Sequence, residues 1–448
     1  MSQDKNIIKA SPTKNFFITM LIRDLTLRDA IGDLVDNSVD GARKLRTDKK
    51  YAGLEINIEA TPEHFSIVDN CGGFSVETAR EYAFRFGRPE DAPPTHGSIG
   101  QFGIGMKRAL FKLGNDFKVS SVEVNSQFLM EVNVPQWAGQ HSENLSNWNF
   151  SFSKHSEDLP EIPEKARGTS ISVTNLHQDV REQFATDNFI KRLISEIELE
   201  NLYNIDHGLT IRINGTKLKA RHLNLINTEE IRSAAWYKQY TGGMDVRIYA
   251  GISEPILEDG GWYIFCNDRL VLGPEQTEIT GWTGGRNADG VAKYHGQYRR
   301  FRGYVFFDSQ NPSLLPWNTA KNGMDLDSPS YRSVKHQMIQ MMRPVISLLN
   351  KLKEENENDN PLEERKLNNI VESSKPVPLA EVQRVVNNTE IFIFPIFPST
   401  KKQEKSENKI VYYRPKEQVE KVRKSLGVNT LKEVGEATFD YYLSMEVE

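Results

Sequence analysis

The stretch AIGDLVDNSVDGAR, residues 30–43, combines an apolar face with a row of polar side chains at helical spacing. The polar residues recur every three or four positions and so share one side of a helix: Asp29, Asp33, Asp36, Asn37 and Asp40. The apolar side comprises Ile31, Leu34, Val35 and Ala42. Like charges at this spacing repel by roughly 0.2–0.5 kcal/mol per pair. The helix therefore needs a compensating cation, such as a metal ion, or it is a solvated acidic surface that tolerates the cost.

Composition places the chain among ordinary globular proteins. Of 448 residues, 38% are hydrophobic and 26% charged, and the net charge of −5 provides no general attraction to nucleic acid or anionic membranes. Two cysteines exclude a disulfide framework and favour a reducing compartment. The start, MSQDKNIIKASPTKNFF, lacks the layout of a signal peptide, and no apolar run is long enough to span a bilayer. We expect a cytoplasmic protein without a membrane partner.

Residues 15 to 180 mix strand and helix patterns. LEINIEA (54–60) and HFSIVDN (64–70) alternate like half-buried strands around a Thr-Pro turn, and ETAREYAFRFG (77–87) has a helical pattern. Further strands are predicted at 116–125, 126–134 and 168–176. This pattern predicts an α+β fold with a mostly antiparallel sheet.

The remainder of the chain predicts further domains. A helix at 188–200 is followed by strands of a second domain at LTIRING (209–215), MDVRIYA (244–250), GWYIFCNDRLV (261–271) and RGYVFFD (302–308), and then by a helix at 334–355. A polar linker precedes a final strand (KIVYY, 409–413) and two helices (415–427 and 430–445). The predicted domains are 1–185, 186–350, 351–404 (connecting segment) and 405–448.

The stretch SIVDNCGGF (66–74) places Asp69 at the end of a strand, before a pair of glycines. Glycine permits a positive φ and lets a flat ligand approach the backbone closely. The Asp69 carboxylate can then accept a hydrogen bond from an exocyclic amine. A simple tight turn is the alternative for this stretch taken alone.

The stretch GSIGQFGIGMKR (97–108) carries four glycines before a predicted helix that contains Lys107. Backbone N–H groups that lead into a helix N-terminus form an anion cradle, and a lysine adds a cation for phosphate. The spacing is not that of a Walker sequence, which requires GK followed by Ser or Thr.

Together and in this order, the three stretches resemble the ATP-binding motifs of the GHKL superfamily, which includes gyrase, the ninety-kilodalton heat-shock chaperones, histidine kinases and MutL. ARGTSISV (166–173) resembles the later Gly-Thr element of these proteins. The resemblance covers roughly residues 15 to 180 and extends more weakly to about 350. It implies a GHKL (Bergerat) sandwich of a mixed, mostly antiparallel sheet and helices. An α/β transducer domain and a small strand-helix-helix module would follow.

The resemblance also implies roles for individual residues, with ATP and Mg²⁺ as ligands. Asn37 would coordinate the magnesium ion, Asp69 would bind the adenine amino group, and Thr169 would lie near the adenine. Gly73 would shape the turn after Asp69. The residues expected to wrap the phosphates are Gly100, Gly103, Gly105 and Lys107.

Asp33 occupies the position of the general base, where hydrolytic GHKL proteins usually have glutamate. Aspartate is one methylene shorter, which moves its carboxylate about 1.5 Å back. A misplaced base forfeits much of the roughly 10²–10⁴-fold rate enhancement that such a group supplies. We therefore expect slow turnover. Cys71 also replaces a glycine of many relatives, and the following glycines keep that loop flexible.

The motif NTAKNG (318–323) carries a further candidate, Lys321. In gyrase and MutL relatives, a transducer loop inserts a lysine that senses the γ-phosphate, and the resemblance assigns that role to Lys321. A surface lysine in a turn is the alternative. GWYIFCNDRLVLG and FRGYVFFD resemble transducer strands more than the middle domain of the heat-shock chaperones.

Lys107 matches the glycine box of MORC-type ATPases, and bacterial MORC- and MutL-like ATPases are associated with restriction-modification and phage defence. This resemblance implies an ATP-driven clamp that dimerises with a second copy and acts on DNA or on a restriction or defence effector protein. The alternatives are a heat-shock-type chaperone and a phosphotransferase of the kinase branch. Kinases lack a transducer, and no phospho-acceptor histidine helix is visible.

The terminal module resembles a ribbon-helix-helix unit, which dimerises through a shared ribbon that can enter the DNA major groove. Arg414 stands where such units usually have an apolar core residue, so a plain helical dimerisation module remains an equal alternative. The lysines available for phosphate contacts are Lys401, Lys402, Lys405 and Lys409.

Overall fold

The computed structural model describes residues 12–87, 99, 103–140, 148–219, 221–284, 290–318, 321–357, 365–385, 389–397 and 410–446. These residues form two compact units, one up to Pro395 and the other from Ile396 onward. Gly100 and the four lysines between 401 and 409 lie outside the described residues.

The helices of the first unit are α1 (Lys14–Ile22), α2 (Leu27–Leu45), α3 (Val76–Thr78), α4 (Gly105–Leu113), α5 (Val134–Gly139), α6 (Gln178–Phe184), α7 (Asp187–Glu200), α8 (Leu202–Asp206), α9 (Pro329–Glu357), α10 (Lys366–Ser373) and α11 (Leu379–Val385). Its strands are β1 (Glu55–Ala60), β2 (Phe65–Asp69), β3 (Gly114–Val122), β4 (Gln127–Asn133), β5 (Phe152–Ser156), β6 (Gly168–Leu176), β7 (Thr210–Ile213), β8 (Thr216–Lys217), β9 (Asn224–Ile226), β10 (Ala234–Tyr240), β11 (Met244–Ile252), β12 (Gly261–Cys266), β13 (Arg269–Glu275), β14 (Phe301–Ser309) and β15 (Pro376–Pro378).

The first sheet has eight strands in the order β5-β4-β3-β6-β2-β1-β7-β8. Its pairs are antiparallel except β1 with β7, so the predicted mixed, mostly antiparallel sheet is confirmed. The assignment of LTIRING to the second domain is wrong, because β7 pairs with β1, with Ile56 opposite Ile211. The strands β2 and β6 align Asp69 with Thr169.

Helix α2 is buried on two sides. Thr26 caps its N-terminus by accepting a hydrogen bond from the Asp29 N–H at 3.1 Å. Ile31, Leu34 and Val35 lie in the core, where each such side chain contributes about 1.5–3 kcal/mol. Asp33 and Asp36, on the acidic side, retain only 7% and 1% of their exposure. The alternative of a solvated acidic surface is therefore wrong for this helix.

The second sheet has five strands in the order β10-β11-β14-β12-β13, with β12 and β14 parallel. The Phe265 and Phe306 rings stack at 4.8 Å, and the Trp262 indole donates a hydrogen bond to Met342 Sδ of α9 at 3.3 Å. Aromatic packing of this kind contributes about 0.5–1.5 kcal/mol per pair beyond the buried area. Helix α9 thus packs against one face of the second sheet.

The strands β12 and β13 form a hairpin whose two turn residues, Asn267 and Asp268, have φ of 49° and 65°. Positive φ at both positions is typical of the hairpin turn that matches strand twist. The Asn267 side chain accepts from the Ser309 N–H at 2.9 Å and donates to the Ser309 carbonyl at 3.1 Å. The turn is therefore fixed to the end of β14.

Two predictions outside the sheets need correction. Residues 366–385, assigned from sequence to a connecting segment, instead form α10, β15 and α11 and bury Leu367, Val371 and Val382. β15 pairs with β9. In the second unit, the two predicted helices form as α12 (Lys416–Leu426) and α13 (Leu431–Glu446). Residues 410–413 form no strand, since an isolated strand leaves its backbone hydrogen-bonding groups unpaired.

Among the described residues, no helix combines the length and hydropathy needed to cross a bilayer. Cys71 and Cys266 are buried free thiols.

Replacement of Gly303 by alanine tests the packing of the second sheet. A Cβ at Gly303 would lie 2.2 Å from the Trp262 ring, which sits opposite it across β12 and β14. Overpacking of this kind costs about 1–3 kcal/mol, so in a unit of this size Gly303→Ala should lower the apparent Tm by about 1–4 °C in a thermal scan. Gly139→Ala is the control, because a Cβ there has no neighbour within 4 Å among the described residues. Equal Tm values for the two variants would contradict this packing.

Candidate functional site

Asp69 lies at the carboxyl end of β2 with its side chain anchored on three sides. It accepts hydrogen bonds from Ser38 Oγ at 2.7 Å, the Cys71 N–H at 2.9 Å and the Thr169 N–H at 3.2 Å. Burial raises the pKa of Asp69, and these three hydrogen bonds oppose that rise. A carboxylate offers about four lone-pair sites, so one remains for an additional donor such as an amine.

Glycines line the backbone around Asp69. Gly72 and Gly73 have φ of 93° and 65°, as expected from the glycine pair in the sequence. A Cβ at Gly73 would lie 2.2 Å from the Val122 carbonyl oxygen, and one at Gly168 would lie 2.0 Å from that of Asp69. Side chains are therefore excluded at both positions, because the backbone there packs directly against the backbone of β3 and β2.

The described part of the glycine-rich stretch leads into α4. The Ile99 N–H donates to the Asp40 carboxylate at 2.7 Å, and Gly103 has a φ of 62°. Gly105 is the first residue of α4, and a Cβ there would lie 3.2 Å from the Asp33 carboxyl carbon. The N-terminus of α4 thus faces Asp33, and its partial positive charge favours an anion there.

Lys107 is buried, with 2% of its surface exposed. Its ammonium donates to the carbonyl oxygens of Ala83, at 2.8 Å, and Gly103. Burial lowers the pKa of Lys107 to about 7. Lys107 therefore connects the chain before the glycine-rich stretch to the start of α4. Its predicted contact with phosphate stays a prediction.

Asp33 is paired with two cations. Arg108 of α4 donates to Asp33 Oδ2 from Nε at 2.7 Å and Nη2 at 2.6 Å, and Lys321 Nζ lies 3.3 Å from Oδ1. Lys321 has a φ of 58°, in the left-handed region that non-glycine residues rarely adopt. The structure thus brings together two residues that the sequence predicted for catalysis, 288 positions apart.

Asp36 extends this cluster of charges into the second sheet. It accepts from Lys321 Nζ at 2.9 Å and from Arg269 Nη1 at the start of β13. Arg269 Nη2 also pairs with Glu200 Oε1, at the end of α7, at 3.1 Å. We call Asp33, Asp36, Arg108, Lys321, Arg269 and Glu200 the charge cluster.

The charge cluster changes the pKa of several members. Burial favours a neutral Asp36, but Arg269 and Lys321 outweigh this effect and hold the pKa of Asp36 below its usual value. Burial likewise favours a neutral Lys321, while Asp36 and Asp33 raise the pKa of Lys321. Burial raises the pKa of Glu200 to about 7, against the opposing effect of Arg269. Asp36 and Lys321 are therefore held as ions at neutral pH.

The predicted residues fall into two groups in the structure. Asp69, Gly73 and Thr169 lie together at the ends of β2 and β6, and Asp33, Gly105 and Lys321 meet between α2 and α4. Asn37 lies on α2 with its side chain exposed.

Four residues at or near the site were not predicted from the sequence: Ser38, Arg108 and two distant members of the charge cluster, Arg269 and Glu200. Ser38 lies in the stretch 30–43 and Arg108 in the stretch 97–108, so the motifs themselves indicated their positions. Asp36 was visible in the acidic row, but its partner Arg269 lies 233 positions away. No spacing rule links residues at that distance.

A magnesium ion fits the residues present. Among the described residues, no group of three or more His, Cys, Asp or Glu side chains is arranged to hold a metal ion. Mg²⁺ commonly takes one or two protein oxygens and several from phosphate and water. The exposed amide of Asn37 can supply such an oxygen.

Residues 25–169 match the model of a protein family described as "Histidine kinase-, DNA gyrase B-, and HSP90-like ATPase". The matched region begins just before α2 and ends at Thr169, so it includes Asp33, Asp69 and the glycine-rich stretch. No curated protein matches the chain. The match and the fold support a GHKL-type ATP-binding domain over these residues.

The buried ammonium of Lys107 makes stability depend on pH. Its pKa falls from 10.5 to about 7 on folding, so the folded chain binds this proton less tightly and stability rises with pH between these values. The apparent Tm of the wild type should therefore rise between pH 7 and 10 relative to that of Lys107→Met. Lys112→Met, on the same helix, is the control. Parallel Tm profiles for the wild type and Lys107→Met would contradict the prediction.

Proposed function

We propose that the protein is an ATP- and Mg²⁺-dependent conformational clamp with slow ATP hydrolysis, related to the MORC- and MutL-like ATPases. The contact between Lys321 and Asp33, at 3.3 Å, carries this proposal. It joins a loop that follows the second sheet to the helix predicted to hold the general base. A γ-phosphate bound beside Asp33 would compete directly for the Lys321 ammonium.

Nucleotide binding begins at Asp69. The adenine amino group would donate to the remaining acceptor position of this carboxylate. The phosphates extend toward the N-terminus of α4, where backbone N–H groups and the helix dipole favour anions. Asn37 would hold the magnesium ion, which neutralises phosphate charge when bound.

Hydrolysis requires a free oxygen on Asp33. In the structure, Arg108 occupies Oδ2 and Lys321 lies at Oδ1. When Lys321 turns to the γ-phosphate, Oδ1 can accept a proton from water. The water oxygen then bonds to the γ-phosphorus, and the bond to the ADP oxygen breaks. Arg108 still occupies Oδ2, so only one oxygen of Asp33 is open to water, which supports slow turnover.

The clamp follows from the different affinities of ATP for two conformations. A triphosphate that draws Lys321 toward it rearranges the loop after the second sheet, whereas a diphosphate lacks the group that does so. We propose that ATP binding brings the N-terminal domains of two copies together. The partner would be DNA or a restriction or anti-phage defence effector, by resemblance to the bacterial MORC- and MutL-like ATPases.

Substitutions at the two aspartates separate binding from hydrolysis. Asp69→Asn should weaken ATP binding by about 10–100-fold, because it replaces the acceptor that binds the adenine amine. Asp33→Asn should retain binding but lower turnover by about 10²–10⁴-fold. Calorimetric titration with Mg-ATP and a phosphate-release assay measure the two effects. Asp48→Asn, an exposed carboxylate after α2, is the control. Unchanged affinity in Asp69→Asn, or unchanged turnover in Asp33→Asn, would refute the corresponding role.

Analytical ultracentrifugation tests the clamp. The chain should sediment as a monomer without nucleotide and as a dimer with Mg²⁺ and a non-hydrolysable ATP analogue. At an analogue concentration that just saturates the wild type, Asp69→Asn should stay largely monomeric, because it binds the analogue about 10–100-fold more weakly. A wild type that remains monomeric with the analogue would exclude a nucleotide-driven clamp between two copies. A dimer under both conditions would mean that two copies are joined permanently through a surface that does not depend on nucleotide.

A further inference from the structure

The turn of the hairpin formed by β12 and β13 contacts helix α2. Arg43 Nη1 of α2 donates to the Asn267 carbonyl at 2.7 Å, and Arg43 Nη2 lies 3.5 Å from Asp268 Oδ2. Lys49, in the loop after α2, pairs with Asp268 Oδ1 at 2.9 Å. These contacts fix the hairpin turn against α2 and place the next residue, Arg269, beside Asp36.

The Arg269 guanidinium bridges two helices. One terminal nitrogen donates to Asp36 on α2, and the other pairs with Glu200 at the end of α7 at 3.1 Å. Among the described residues, its Nε has no acceptor. The two carboxylates therefore orient the guanidinium: Asp36 binds one terminal nitrogen, and Glu200 binds the other. A planar fork suits this task, because it can donate to two carboxylates in a fixed geometry.

Arg269 shares Asp36 with Lys321. Both cations donate to Asp36, Arg269 at Oδ1 and Lys321 at Oδ2. Asp36 is buried, so an unpaired charge at this position is costly. With Arg269 in place, Asp36 keeps one cation when Lys321 moves away. Without Arg269, the whole charge of Asp36 would be compensated by Lys321, which would hold that ammonium in place.

We propose that Arg269 is a positioning residue for the γ-phosphate: by compensating Asp36, it releases the Lys321 ammonium to the terminal phosphate of ATP, and Glu200 keeps the Arg269 guanidinium in the required orientation. This inference rests on the proposed ATP binding. It adds that a residue of the second sheet sets the preference of the site for ATP over ADP. Arg269 does so without touching the nucleotide.

Glu200 makes this preference sensitive to pH. The charged groups that face it are Arg269 on β13, Asp36 and Asp29 on α2, and Glu196 on α7. Burial raises the pKa of Glu200 to about 7, so the carboxylate takes up a proton as the pH falls below neutrality. Protonation removes the negative partner of Arg269 and loosens the guanidinium. The preference for ATP should then decline on the acid side of pH 7.

The experiment compares two affinities in one full-length chain, for Mg-ADP and for Mg²⁺ with a non-hydrolysable ATP analogue, by calorimetric titration. Arg269→Gln should keep its affinity for ADP within about threefold but lower the preference for the analogue by about tenfold, the effect of one charge-assisted hydrogen bond. Arg269→Lys should restore part of the preference, because it keeps the charge beside Asp36 but lacks the fork that also binds Glu200. Arg247→Gln is the matched control, since Arg247 pairs with Asp308 at 2.6 Å in the same sheet. It should leave the preference unchanged.

A second measurement covers the case in which Arg269→Gln fails to fold. The wild-type preference for the analogue should fall between pH 8 and 6, and Glu200→Gln should show a low preference that does not change with pH. A wild-type preference in Arg269→Gln, no gain in Arg269→Lys, or a wild-type pH profile in Glu200→Gln would each overturn the inference. A wild-type chain that binds neither nucleotide would overturn the proposed ATP binding itself and, with it, this role of Arg269.

Discussion

The rest of the molecule depends on the burial of two carboxylates, Asp33 and Asp36, on one turn of α2. Two buried like charges at this spacing are stable only if cations accompany them into the interior. The cations come from three separate parts of the chain: Arg108 of α4, Arg269 of β13 and Lys321 of the loop before α9. Burial of the acidic side of α2 therefore requires the glycine-rich stretch and the second sheet to assemble around it.

In the proposed function, the same requirement would link ATP hydrolysis to a change in conformation. Asp33 lies at the N-terminus of α4, where an anion is favoured, and its second oxygen contacts Lys321. A phosphate that approaches this place alters the partners of a lysine that also stabilises Asp36. In the proposed function, a change in charge at the ligand would thereby be transmitted to the loop after the second sheet.

Sequence predicted what local patterns determine. The acidic helix, the strands β1 and β2, the positive φ of Gly72 and Gly73 and the position of Asp69 follow from spacing within a few residues. Pairing between distant segments was not accessible in the same way. The alternation in LTIRING is the same whether β7 joins the first sheet or the second, and its partner β1 decides between them. Arg269 resembles any residue that begins a strand after a turn, and only its contact with Asp36 distinguishes it.

Two buried lysines show how partners, rather than burial, set the behaviour of a cation. Lys321 and Lys107 are both almost fully enclosed, yet the pKa of Lys321 is raised and that of Lys107 is lowered to about 7. Lys321 faces two carboxylates, whereas the acceptors of Lys107 are backbone carbonyls. An incoming phosphate therefore affects them differently. For Lys321 it would replace one anion with another, and under the proposed role of Arg269 this exchange would depend on how well Arg269 compensates Asp36. For Lys107 it would supply a formal negative charge, which stabilises the ammonium and favours movement of that side chain away from Ala83 and Gly103.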